Sequence, residues 1–225
     1  MSAIRSVVAC VALLGSSLAF SAPITWSGAQ NTAGAADVVV SGNLIEAVNA
    51  GPSNAGSVTV NGVVFANSAA LLPQSTTINP LGGASTGDAN YDLLLGRFDF
   101  GGGTSRSLNI GGGNLLSGMS YIVQVWYTDL RSCCSGRTMT FGDGLGNNVN
   151  LNASARGLGQ FAVGQFTAGG ASQTLSLASN GFGNVHITAY QVREVEPVSE
   201  VPVPGPLFLI GLGLMLMSAR LRAKG

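Results

Sequence analysis

The chain has 225 residues, 46% of them hydrophobic and only 9% charged, with ten basic and ten acidic side chains that cancel. It contains one Lys and one His, too few for the basic surface of a nucleic-acid binder or for a Cys/His metal cluster. The apolar content equally excludes an acidic disordered chain.

Residues 1–21 read as a secretory signal peptide. Arg5 is the lone charge ahead of an apolar run from Val7 to Leu14 that is too short to span a bilayer, and the small residues around Ala19 and Ser21 suit signal peptidase. Residues 22–193 follow as one domain, long enough to bury a core. Six Arg face nine acids between residues 22 and 196 without any basic cluster, so no nucleic-acid partner is expected.

This body reads almost wholly as strands. Ser57 to Val60 and Val63 to Phe65 flank Asn61-Gly62, the dipeptide that best tolerates the positive φ angles of a tight hairpin turn. Asp88, Asn90, Asp92 and Asp99 echo a calcium loop. Leu93 stands where the sharp turn needs Gly, so a cap on a short helix around Tyr91 to Leu95 is the competing reading; structural calcium stays open, and no other cofactor or metal is expected.

Tyr121 to Thr128 is the longest strand expected. Its alternation puts Tyr121, Val123, Val125 and Tyr127 on one face and Ile122, Gln124, Trp126 and Thr128 on the other. With the first set inward, Gln124 and Trp126 lie on an outer surface, where an indole beside amide groups suits sugar stacking, and Asp129 and Arg131 could complete the patch. The competing reading buries Trp126 under a loop and pairs Asp129 with Arg131 or Arg137. Cys133 and Cys134 are adjacent; after export they can bridge to each other, stay free or link two chains.

Alternation continues at Met139 and Phe141, at Val149 and Leu151, and at Leu175 and Leu177, and a final strand runs from Val185 to Arg193. His186, on that strand, has no recognisable nucleophile turn and reads as a hydrogen-bonded strand residue. Many short strands separated by Gly/Asn/Ser turns predict an all-β sandwich or barrel. The turn Leu115 to Ser120, the strand from Tyr121 to Asp129, Arg137, Asp143-Gly144 and Gly164 to Ala168 resemble galactose-binding-like and carbohydrate-binding-module jelly rolls. The resemblance implies a jelly-roll β-sandwich and no particular ligand.

Residues 194–204 form a Pro-rich linker, residues 205–219 a short transmembrane helix, and residues 220–225 a basic tail with Arg220, Arg222 and Lys224. The uninterrupted apolar part, Leu207 to Met217, reaches about 17 Å as a helix, short of a bilayer core of about 30 Å. The basic cluster places the tail in the cytoplasm and the domain outside. Val201-Pro202-Val203-Pro204, the short helix and the basic stop together resemble the PEP-CTERM sorting signals of Gram-negative bacteria, with Pro-Val-Pro in place of the usual Pro-Glu-Pro. The resemblance implies an exosortase-type sorting enzyme as partner, passage through the inner membrane, a final place at the cell surface or in the extracellular matrix, and exopolysaccharide as company. An ordinary tail anchor is the competing reading. The expected function is therefore an exported, non-catalytic surface or matrix protein that binds polysaccharide through a sandwich face. The alternatives are a carbohydrate-active hydrolase or lyase using Asp129, Arg131 or Asp143, and a self-assembling matrix protein.

Overall fold

The computed structural model describes residues 22–195, apart from residues 69, 78, 79, 135 and 182. The segments read as a signal peptide, as the sorting motif Val201 to Pro204, as a membrane helix and as a basic stop at Arg220, Arg222 and Lys224 lie outside the described residues. Among the described residues, no helix is long and apolar enough to cross a membrane.

In chain order the first strands are β1 (Thr25–Asn31), β2 (Asn43–Ala50), β3 (Val58–Val60), β4 (Val63–Ser68) and β5 (Gln74–Thr77). A short helix α1 (Ala89–Leu95) precedes β6 (Arg97–Phe100), β7 (Ser105–Ile110), β8 (Ser120–Tyr127), β9 (Thr138–Gly142) and β10 (Asn148–Asn152). Then come β11 (Gln160–Thr167), β12 (Gln173–Ser179), β13 (His186–Ile187) and β14 (Ala189–Glu194). They build a seven-stranded sheet in the order β1-β11-β8-β14-β2-β4-β3 and a four-stranded sheet in the order β10-β9-β12-β7. A small sheet, β13-β6-β5, closes one side. The fold is an all-β sandwich, as the alternation predicts.

The two larger sheets meet through one apolar core. β8 supplies Tyr121, Val123, Val125 and Tyr127, and Met139, Phe141, Val149, Leu151, Leu175 and Leu177 come from the facing strands. These are the inward sets that the period-two pattern picks out. The β3–β4 hairpin turns at Asn61 and Gly62 with φ of 47° and 77°, the left-handed pair its sequence predicts. The capping reading of Asp88 also holds: its carboxylate accepts from the Tyr91 backbone N–H at 2.8 Å and starts α1.

The expected final strand divides in two at Thr188. β13 pairs with β6, whereas β14 pairs with β8 and β2, so the chain changes sheets there. Thr188 holds the junction: its N–H donates to the Trp126 carbonyl at 3.2 Å, and its hydroxyl accepts from the Thr128 N–H at 2.9 Å.

The back of the seven-stranded sheet carries a second apolar cluster. Trp126 and Phe161 of that sheet meet Phe65, Tyr91, Leu94 and Leu95, with Val38 and Leu81 from the connecting segments. Phe65 stands edge-on to Trp126, with ring centroids 5.6 Å apart. An expectation fails here. Gln124 and Trp126 do occupy the face opposite the core, but they have no exposed surface. The β3–β4 hairpin, α1 and the segment from Asp37 to Gly42 roof that face, so it cannot serve as an open sugar platform.

Candidate functional site

The end of β8 sets the position of Asp129. The Asp129 N–H donates to the Ala153 carbonyl at 3.0 Å, and the Thr128 hydroxyl donates to the Leu158 carbonyl at 3.2 Å. The carboxylate is fully buried. Arg131 grips it with two side-chain bonds, Nε to Oδ1 and Nη2 to Oδ2, both 2.8 Å long. Such a fork needs a planar guanidinium and is a strong form of ion pair. Arg137 Nη1 and His186 Nδ1 each lie 3.9 Å from Oδ2. The sequence-predicted pair Asp129 and Arg131 is therefore brought together, in the turn-holding geometry, while Gln124 and Trp126 are not part of the arrangement.

The loop between β8 and β9 is tightly folded. Cys134 N–H donates to the Arg131 carbonyl at 2.8 Å, and Gly136 N–H donates to the Ser154 hydroxyl at 3.1 Å. Cys133 and Cys134 are bridged to each other across a Cα separation of 3.8 Å. Cys134 is buried and Cys133 exposed, so the bridge forms a small apolar wall at the surface.

His186 is buried and stacked face to face on Phe98, with centroids 3.9 Å apart and planes 11° from parallel. Its Nε2 lies 3.0 Å from the Thr128 carbonyl. A carbonyl only accepts, so the proton sits on Nε2 and Nδ1 carries the lone pair. Burial pushes the imidazole down to about 3 against the opposing pull of Asp129, so His186 is neutral at neutral pH. Burial also raises the Asp129 carboxyl, but the hydrogen bonds and the positive charge of Arg131 outweigh it, and the net shift is downward. Arg131 is held more firmly protonated by its bonds to Asp129. The cluster thus carries two cations, one anion and a neutral ring.

These groups border a cleft of about 260 Å³ walled by the Cys pair, Arg131, Arg137, Phe100, Asn184 and His186. Asn184 donates nothing among the described residues; its Oδ1 accepts from the Gly103 N–H at 3.0 Å, which leaves its NH2 for a ligand. Two larger hollows exist elsewhere, of about 430 and 370 Å³, but the first is lined by no charged side chain and the second only by Arg106. Among the described residues no hydroxyl hydrogen-bonds the His186 ring, and no group of three or more His, Cys, Asp or Glu is placed to hold a metal ion.

Asp143, the other carboxylate considered for catalysis, lies beyond the opposite end of β9. It accepts from the backbone N–H groups of Ile24 at 2.9 Å and Leu145 at 2.7 Å and from Asn147 Nδ2 at 2.6 Å, so it pins the N-terminal segment to a turn. A five-residue strand, roughly 17 Å long, separates it from Arg137, so Asp129 and Asp143 do not share a site. Asp88 and Asp92 are likewise committed to protein donors, Asp92 accepting from the Ser85 and Thr86 hydroxyls at 2.5 and 2.7 Å.

Sequence reasoning missed Phe100 and Asn184 and set His186 aside as a strand residue. No local pattern marks the first two, because β6 and the turn before β13 meet the β8–β9 loop only in space.

No protein-family model matches the chain, and no curated protein matches it. Among solved structures, the extracellular domain of ANXUR1 from Arabidopsis thaliana is similar, with a TM-score of 0.50 and 10% identity over 68% of this chain and 49% of that one. The chain therefore spans about half the length of that structure, and at such identity the likeness concerns the fold alone.

Proposed function

We propose that this chain is an exported surface or matrix protein whose sandwich, of jelly-roll type, binds polysaccharide without catalysis, through the cleft at the β8–β9 end. The observation that carries the reading is the cleft itself. Two partly exposed guanidinium groups, a free amide and an aromatic ring converge on a hollow of single-sugar size, over a base held rigid by the Arg131–Asp129 fork. The likeness in fold to an extracellular domain, the signal-like N-terminus and the tail resembling PEP-CTERM signals support an address outside the cell. On this reading signal peptidase removes the leader. The tail holds the chain in the inner membrane until an exosortase-type enzyme releases it at Val201 to Pro204, and Arg220, Arg222 and Lys224 act as the cytoplasmic stop. The domain needs no cofactor for binding.

The cleft and Val195, where the chain leaves the sandwich, lie at opposite ends of β8. Val195 N–H donates to the Ser120 carbonyl at 2.8 Å, and Ser120 begins an eight-residue strand of about 25 Å. The test is glycan-array binding by the intact chain and by Asn184→Ala. Binding that weakens in the variant, with no released sugar, supports the reading; new reducing ends would favour the enzyme, and a silent array would refute glycan binding. Intact mass of the secreted form checks both cleavage points and shows whether the cysteine pair is two hydrogens lighter.

A further inference from the structure

We infer that the sugar recognised by this cleft is acidic, a uronate whose carboxylate is received by Arg137 together with the free amino group of Arg131. The inference rests on the glycan-binding reading above and adds the charge of the ligand. Its basis is the way the ion cluster is layered. The anion, Asp129, has a side-chain exposure of 0%, whereas Arg131 and Arg137 are 39% and 30% exposed. The negative charge lies beneath and the positive charges face solvent.

The two arginines outnumber the one carboxylate even though His186 is neutral. Arg131 has spent Nε and Nη2 on Asp129, and among the described residues its Nη1 makes no hydrogen bond. Arg137 is less committed: its guanidinium makes no hydrogen bond among the described residues, and its nearest carboxylate oxygen is 3.9 Å away. That distance is too long for a hydrogen bond. A neutral sugar would leave this fork bonded only to water or a hydroxyl. A carboxylate can take two parallel N–H bonds from it, shorter and stronger than neutral ones.

The remaining walls suit the rest of a pyranose. The exposed edge of the Cys133–Cys134 bridge and the Phe100 ring are apolar surfaces for a C–H face, and the Asn184 NH2 can donate to a ring hydroxyl. The positive charge at the cleft is local, since the domain as a whole is acidic.

The test changes the ligand before it changes the protein. Titration of the intact chain in mild detergent would compare polygalacturonate, alginate, the methyl ester of polygalacturonate and dextran sulfate at fixed salt. The expected result is binding of a uronan at least about tenfold tighter than the ester and dextran sulfate. Arg137→Gln should remove that preference and Arg137→Lys restore it only in part, while Arg156→Gln, at an exposed arginine outside the cleft, should leave it unchanged. Equal affinity for the ester overturns the acidic assignment and leaves the cleft as a site for neutral sugars. Dextran sulfate binding that falls equally in Arg137→Gln and Arg156→Gln overturns it in favour of general polyanion adsorption. If no uronan binds, the inference falls, and the glycan-binding reading falls with it only when the neutral glycans of the array also fail.

Discussion

Toward the four-stranded sheet, the seven-stranded sheet presents Tyr121, Val123, Val125 and Val192, which meet Phe141, Leu151, Leu175 and Leu177; the one polar atom among these side chains, the Tyr121 hydroxyl, accepts from the Leu116 N–H at 2.8 Å. On its back the same strands present Gln124, Trp126, Gln191 and Arg193, all buried and all hydrogen-bonded. Gln124 Nε2 donates to the Asp37 carbonyl at 2.7 Å, and its Oε1 accepts from the Val39 N–H at 3.0 Å and from Gln191 Nε2 at 2.7 Å. Among the described residues, Arg193 has no carboxylate partner. Its Nε donates to the Ser41 carbonyl at 2.8 Å, and its Nη2 donates to the carbonyls of Val40 at 2.8 Å and Gly42 at 2.7 Å. Trp126 Nε1 donates to the Tyr91 hydroxyl at 2.9 Å, which itself donates to Asp37 Oδ2 at 3.2 Å. One face is closed by shape and apolar area. The other is closed partly by the second apolar cluster and partly by a strap of backbone whose carbonyls at Asp37 and from Val39 to Gly42 accept from these side chains.

The contrast can be broken most severely on the dry side. Phe141→Ala should cost about 3–5 kcal/mol, from lost transfer energy plus a cavity between two sheets that cannot collapse around it. Chemical denaturation should show a lower midpoint with the slope unchanged. On the back, Arg193→Met keeps the apolar stem but strands three carbonyls. A loss of about 2–3 kcal/mol is expected. Here the damage should be local: proteolysis and hydrogen exchange should rise over Asp37 to Gly42 while the amides of β9 and β12 stay protected. Uniform loss of protection would mean that the two faces are one cooperative unit.

Acid probes the open end of the sandwich. His186 has a folded pKa near 3 against an ordinary 6.5, so the unfolded chain binds the extra proton between those values. Stability from this group is full above pH 6.5 and is lost as the pH falls toward 3. Between pH 6 and pH 5 the loss should be about 1 kcal/mol, and His186→Gln should flatten it. The comparison with the variant separates the imidazole from Asp99, whose carboxyl burial raises and which therefore acts in the opposite sense. The smallest effect belongs to the roof. Asp88→Ala removes the cap of α1 and should cost about 0.5–1 kcal/mol by thermal denaturation.

Much of this was readable residue by residue. The Asn61-Gly62 turn, the inward set of β8, and the alternation of β9, β10 and β12 follow from two short-range rules, the sterics of positive φ and the period of a strand. β1 was not readable, because Thr25 to Asn31 shows no alternation: it is an edge strand whose register shifts between Trp26 and Ala29. The candidate site was half readable. Asp129 and Arg131 are two residues apart, so a contact is foreseeable, but Asn184, Phe100 and His186 reach the cleft from segments far away in the chain. The alternation puts Trp126 on the face opposite the core but leaves open whether that face meets solvent or a covering loop, and the structure covers it.

The sequence by itself determined which residues alternate, where the chain turns, and that the domain is a β-sandwich with two adjacent cysteines. Those properties rest on local sterics and on one side of each strand being apolar. Only the tertiary structure decided that the outer face of β8 is roofed, that His186 is buried and neutral, and that two arginines stand exposed above a hidden carboxylate. Burial and the charge of a neighbour depend on segments that meet across 58 to 87 residues of chain, and no local pattern encodes that meeting.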